Sequence, residues 1–354
     1  MPLSQRADVP AADGAERGLK MKKPTMREIG KAVGVSAVTV SKAMAGKSGM
    51  SEAVREKILQ TAQEMGYTYP GSEKTVLTQK PDIGILVPEA FFGANTFYAN
   101  MYKRLVQKLT ENGLFALLEL VEREAEERLS LPKILDSHRV GGLIMLGQPK
   151  KEYCRFIAGQ GIPTVFLDFY DEQASADAVV GDNTYGCYRL TSHLIKNGHR
   201  RIGFVGNFRA TSSIMDRYLG FCRAMLMHEL PIREDWIVMD RDAENRLADR
   251  LPLPEELPTA FVCNCDVVAR QLILQLTERG LRVPEDISIT GYDDFEMETA
   301  AGPGISTFRV DMYAMVDVAV RTMLDRCAGL SKPFGRTVIG GQPVYRDSEG
   351  PIKG

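Results

Sequence analysis

Residues 25–46 read TMREIGKAVGVSAVTVSKAMAG. Apolar side chains recur at helical spacing over Met26, Ile29, Ala32 and Val33, a stripe of three turns at most. Thr25, with Glu28 three residues on, has the form of a capping box. Gly34 supplies the left-handed residue that ends such a helix. Ser36 caps a second short helix, AVTVSKAMA, which Gly46 closes. Gly30 lets two helices touch, Gly34 turns the chain and Val40 fills a shared core. That is the steric plan of a helix-turn-helix.

A third helix is predicted behind Ser51, where EAVREKILQTAQEMG sets Val54, Ile58, Ala62 and Met65 on one face. The outward positions of the second helix are Ala37, Val38, Ser41 and Lys42. Lys42 suits a guanine edge, and Ala37 and Val38 suit thymine methyls. Thr25, Ser36, Thr39, Lys47 and Ser51 are placed for phosphate, with Met26 beside them. A generic three-helix bundle that binds a protein is the other reading of the same pattern. GKS at 46–48 is not the end of a phosphate loop, because the glycine required earlier is Ser41.

The charge is distributed accordingly. The whole chain carries a net −2, yet residues 20–80 hold eleven Lys or Arg against five Glu. A basic head on an acidic body is the footprint of a protein that offers only its head to phosphate. At 354 residues the chain suits two or three domains, and no apolar run approaches a membrane span. Residues 1–23 are polar, hold Pro and Gly and lack the apolar core of a secretory signal, which predicts a disordered tail, with Met21 as an alternative start. The six cysteines are scattered without a CxxC pair, as expected of buried thiols in a reducing compartment.

From residue 82 the pattern alternates. Apolar runs such as DIGILVP (82–88), VGGLIML (140–146), PTVFLD (163–168), RIGFVG (201–206), TAFVC (259–263) and DISITGY (286–292) are separated by helical segments. Such alternation predicts an α/β fold with parallel sheets covered on both faces, and its length asks for two doubly wound subdomains. Ligands in such folds sit at the carboxyl ends of strands. Asp168 ends FLD, Asp293 and Asp294 follow ITGY, and Arg217 opens RYLGF, a set able to hold a small hydroxylated ligand by charge-assisted hydrogen bonds. Phe97, Tyr98 and Gln148 are expected to line the same cleft, and Asp294 is expected to cap a helix. No nucleotide fingerprint, HExxH, GxSxG or Cys/His pairing appears. The reading is therefore of a non-enzyme with no cofactor and no metal.

The segment TMREIGKAVGVSAVTVSKAMAGKSGMSEAVREKILQTAQEMGY resembles the head of LacI/GalR-type bacterial transcriptional regulators, and the resemblance extends through GLIML (142–146), IPTVFLD (162–168), GHRRIGFVG (198–206) and GLRVPEDISITGYDDF (280–295). It implies a helix-turn-helix domain over 24–70, a hinge linker over 71–81 and an effector-binding, dimerising, periplasmic-binding-protein-like body over 82–354. It also implies a cytoplasmic homodimer, usually a repressor, on double-stranded operator DNA. An effector, often a sugar, is held at the positions of Asp168, Arg217 and Asp293. Leu77 matches the leucine that the family's hinge inserts into the minor groove, although Gly71 and Ser72 are poor helix formers. Relatives usually carry Asn where this chain has Cys265, a poor partner for a sugar hydroxyl. Two rival classes remain: a transport-type binding protein would carry an export signal and no basic head, and an α/β enzyme would show a catalytic constellation.

Overall fold

A computed structural model of the chain describes residues 25–44, 50–65, 67, 82–93, 96–136, 139–242, 246–295 and 302–352. Two compact units part between Gln79 and Lys80. Lys47, Leu77 and the rest of the hinge lie outside the described residues.

The first unit holds α1 (Met26–Val33), α2 (Ala37–Met44) and α3 (Glu52–Glu64). The Thr25–Glu28 capping box is formed in both directions, and Gly34 turns the chain with φ +80°. The N–H of Thr39 donates to the Ser36 hydroxyl at 3.1 Å, so Ser36 caps α2 as its position predicts. Ser51 precedes α3, and its backbone carbonyl accepts from Val54 and Arg55. Ile29, Val40, Ala43, Ile58 and Ala62 form the core, with Met26, Val33, Val54 and Tyr67 packed around it. Two expectations fail. Ala32 is exposed, because the crossing of α2 uses the Ile29–Gly30 side of α1, and Met65 is exposed because α3 stops at Glu64.

Gly30 explains how so small a core closes. A Cβ there would stand 2.6 Å from the Val35 carbonyl oxygen, a backbone atom that cannot swing aside. Alanine would gain about 1 kcal/mol of helix propensity and incur overpacking of about 1–3 kcal/mol. Gly30→Ala is therefore expected to loosen the head. The check is amide hydrogen exchange in the full chain: faster exchange across α1–α3 with the body unchanged. Unaltered protection would mean that α2 yields more easily than the geometry indicates.

The second unit begins with β1 (Asp82–Pro88), α4 (Phe97–Glu111), β2 (Ala116–Val121), α5 (Arg123–Arg128), α6 (Lys133–Asp136), β3 (Val140–Leu146), α7 (Lys151–Ala158), β4 (Thr164–Leu167) and β5 (Asp177–Gly181). It continues with α8 (Asn183–Lys196), β6 (Ile202–Val205), α9 (Ser212–Met227), β7 (Ile237–Val238), β8 (Ala260–Cys263), α10 (Asp266–Glu278) and β9 (Ser288–Thr290). It closes with β10 (Thr307–Val310), α11 (Met312–Cys327), β11 (Arg336–Ile339) and β12 (Gly341–Val344).

One sheet runs β11-β5-β4-β3-β1-β2 and a second runs β7-β6-β8-β9, both wholly parallel. The inner strands are apolar without alternation because helices bury both faces, as the sequence predicts. The chain passes between the sheets three times: from β5 to α8, between β9 and α11, and from β11 to β12. The antiparallel pair β10–β12 lies on this crossing. The late strands β10, β11 and β12 escape the sequence pattern. β11 is an edge strand whose residues are mostly exposed, so it has no apolar signature.

Candidate functional site: the cleft between two parallel sheets and the outward face of α2

The carboxyl ends of the two sheets present the strand-end residues to one another. Asp168 follows β4 with φ +72°, and Asp293 and Asp294 follow β9 with φ +99° and +53°. Left-handed backbone at a residue other than glycine costs free energy and persists where the surroundings enforce it, which is common at ligand sites.

Arg217, on the second turn of α9, is buried. Its Nε donates to the Asn183 side-chain oxygen at 2.8 Å and its Nη2 to Asp293 at 2.9 Å, while Nη1 donates to the Asn264 backbone oxygen. The guanidinium lies 4.0 Å from the centre of the Tyr292 ring. Burial pushes the Asp293 carboxyl above its ordinary range, and the Arg217 charge opposes that push.

On the opposite side Tyr98, in the first turn of α4, donates its hydroxyl to Asp168 at 2.9 Å. Burial pushes the Asp168 carboxyl up to about 6; Arg217 pulls it down and Asp293 pushes it up. Burial and the Asp168 charge hold the Tyr98 phenol well above its ordinary value. Cys265 precedes α10 and lies within the reach of the Asp293 and Arg241 charges; burial raises its thiol to about 12, so it stays neutral. Tyr98, Asp168, Arg217, Cys265 and Asp293 thus come together as the strand-end rule predicts. Phe97 packs edge-on against Tyr98, with ring centres 5.3 Å apart.

The sequence reading misses half of the polar shell. Asp240, fully buried after β7, accepts from the Asn207 N–H at 2.7 Å, the Asn264 amide at 2.8 Å and the Arg241 Nη2 at 2.9 Å. Arg241 in turn lies within reach of Cys265 and Tyr98. VMD (238–240) has the same apolar-then-Asp form as FLD, but β7 is two residues long and too short to register as a strand. Asn264, whose side chain turns away from the Arg217 side, orders Asp240 and offers its backbone oxygen to Arg217.

Asp294 begins no helix among the described residues, and the segment it was expected to cap lies outside them. Its carboxylate accepts from Arg309 and Arg346, each at 2.6 Å, and so joins the crossing strands. Gln148 spends its side-chain oxygen on the Ser212 N–H at 2.7 Å, joining the end of β3 to the start of α9. Tyr170 donates its backbone N–H to the Ser212 hydroxyl at 3.1 Å and its phenol to Asp216 at 2.9 Å. These three bonds hold the lips of the cleft together. Asp293 also borders an open hollow of about 610 Å³ formed with Arg104, Arg309, Tyr313 and Gln342. Asp168, Tyr98 and Cys265 do not line that hollow, so the cleft is assigned from its polar network and not from its size.

In the first unit Val38 is 66% exposed, and Lys42, one turn on, is exposed beside it. Ala37 and Ser41 are half-buried on the flanks, Thr39 is half-buried, and Thr25, Ser36 and Ser51 are exposed. Met26 packs against the small core. Among the described residues no group of three or more His, Cys, Asp or Glu is placed to hold a metal ion, and no helix is long and apolar enough to cross a membrane.

Residues 25–69 match the model of bacterial regulatory proteins, lacI family, and residues 191–349 match a periplasmic binding protein-like domain. The chain is 27% identical over 308 residues to the HTH-type transcriptional repressor PurR of Vibrio parahaemolyticus, covering 85% of this chain and 91% of that protein. It is 26% identical over 328 residues to the ribose operon repressor of Haemophilus influenzae, covering 92% and 98%. Among solved structures it is similar to a transcriptional regulator CelR–cellobiose complex, with TM-score 0.64, 23% identity and coverage of 92% and 99%. It is also similar to the lac repressor dimer bound to operator and an anti-inducer, with TM-score 0.63, 20% identity and coverage of 93% and 100%. At these identities the structural likenesses carry the fold.

Proposed function

We infer, since the chain belongs to the lacI family of bacterial regulatory proteins, that it is a sequence-specific transcriptional regulator whose operator binding is set by a small ligand in the body's cleft. One observation carries the reading. A single chain joins a helix-turn-helix, whose exposed Val38 and Lys42 have no packing role, to a body whose buried polar groups converge between two sheets. The names of the relatives favour a repressor over an activator. The chain acts as a cytoplasmic homodimer, two heads reading the half-sites of a near-palindromic operator. Thr25, Ser36, Thr39, Lys47 and Ser51 hold the phosphates, and Ala37, Val38, Ser41 and Lys42 face the bases, with Met26 supporting α2 and Leu77 wedging the centre. Asp168, Arg217 and Asp293 bind the ligand, a carbohydrate or a derivative of one, with Phe97, Tyr98, Gln148 and Cys265 around it. No catalytic role is assigned to any residue.

The ligand needs only different affinities for the DNA-competent and DNA-incompetent states, and the operator must then change ligand affinity by the same factor. The bonds of Gln148 and Tyr170 across the lips are the contacts such a change would break or keep.

The test is selection of duplexes by the full chain, followed by binding as a function of salt. Specific, salt-dependent affinity supports the reading, and absence of both sinks it. Lys42→Ala is expected to relax preference at one position per half-site, costing about 1–3 kcal/mol on the preferred base. An equal loss on every sequence would move Lys42 to the phosphates.

A further inference from the structure

We propose that the cleft takes a polyhydroxylated amine, such as an amino sugar, whose ammonium group seats against the Asp168 carboxylate. The inference rests on the cleft being the ligand site and narrows what that ligand is.

Arg217 has Nε, Nη1 and Nη2 engaged by Asn183, Asn264 and Asp293. Arg241 holds Asp240 through Nε and Nη2. Asp293 and Asp240 therefore each have a guanidinium. Asp168 makes no ion pair among the described residues and is 4% exposed; the neutral Tyr98 phenol donates to it. The charged or titratable groups around it are Tyr98 from α4, Arg217 from α9 and Asp293 after β9, with Arg241 and Cys265 beyond them. Asp168, Asp240 and Asp293 against Arg217 and Arg241 leave one negative charge in excess. A buried carboxylate without a cation is costly, and it is relieved by taking a proton or a cationic partner. The raised Asp168 carboxyl is the first remedy, and a ligand ammonium is the second.

Other ligand chemistries fit less well. A phosphate or carboxylate would meet the excess negative charge and find both guanidinium groups already paired. An uncharged sugar would bond to Asp168 but leave its charge without a counter-ion. The neutral Cys265 thiol neither supplies nor competes for a charge. A hydroxylated body suits the rest of the shell, where the Asp293 carboxylate accepts and the Tyr98 oxygen, its proton given to Asp168, accepts too.

The experiment uses the full chain at pH 7.5. Thermal shift and calorimetry compare glucosamine, galactosamine and mannosamine, each with its parent hexose and the hexose 6-phosphate, and matched aminoalditols with their alditols. The expected result is an amine that binds about tenfold or more tightly than its uncharged parent, the scale of one charge-assisted bond, with the phosphates weaker still. Asp168→Asn should bring that ratio to about one. In the unmutated chain the amine's advantage should also shrink from pH 7.5 to pH 5, as Asp168 takes up its own proton. An uncharged sugar or a phosphate that binds at least as well as its amine counterpart overturns the proposal and leaves the cleft as the ligand site. Binding by no member of the panel overturns the proposal and counts against the ligand reading as well. An amine advantage that survives in Asp168→Asn places the ammonium elsewhere and overturns it too.

Discussion

Arg217→Ala is expected to destabilise the body by about 3–5 kcal/mol, the usual cost of removing one member of a buried ion pair. Arg217 is 4% exposed and Asp293 sits 2.9 Å from it, so the carboxylate would be left buried without its cation. The Asn183 side-chain oxygen and the Asn264 backbone oxygen would lose their donor as well. Urea unfolding should show the loss, and ligand response should vanish with it. The double substitution Arg217→Met with Asp293→Asn should recover much of the stability but none of the response, because removing both charges removes the unpaired one. A loss below about 1 kcal/mol in the single variant would mean that water reaches Asp293 and that the pair is not buried in solution.

Asp168→Asn should act on stability in the opposite direction. Folding raises the Asp168 carboxyl to about 6, so its ionised form is disfavoured in the native state. The stability tied to Asp168 is therefore fully present below about pH 4 and is lost as pH rises through 6. A shift of this size corresponds to an upper value of roughly 3 kcal/mol at pH 8. Asparagine keeps an acceptor for the Tyr98 hydroxyl and carries no charge to bury. The variant is expected to melt at a higher temperature than the unmutated chain at pH 8, to match it near pH 4, and to bind an amine no better than its uncharged parent. Such an exchange of stability for function is usual at binding sites. Parallel melting curves for the two proteins from pH 4 to pH 8 would be incompatible with a desolvated Asp168.

What could be read in advance divides along physical lines. The capping box at Thr25–Glu28, the turn at Gly34 and the close approach at Gly30 are local, since each depends on residues within about seven positions along the chain. Val40 belongs with them, because helical period alone sets its direction. Ala32 was misassigned because the two-turn α1 presents a narrow stripe that is decided by what crosses it, and Met65 because α3 stops one residue before it. Asp168 and Asp293 were legible for a different reason. A parallel strand buried on both faces is an unbroken apolar run, so the first charged residue after it marks the sheet edge where ligands bind.

The sequence by itself determined the head's steric plan, the class of the body and the ends of strands where polar chemistry would gather. Those are matters of periodicity, of backbone freedom and of solubility in a buried layer. The tertiary structure alone decided who meets whom. Asp240 and Arg241 follow a two-residue strand, Asp294 clamps Arg309 and Arg346, and Gln148 is spent on Ser212 across the lips of the cleft. The Gln148–Ser212 bond joins residues 64 positions apart that meet only where the ends of the two sheets face one another. Arg217 reaches Asp293 from 76 positions away, because charge pairing depends on distance in space and leaves no period along the chain.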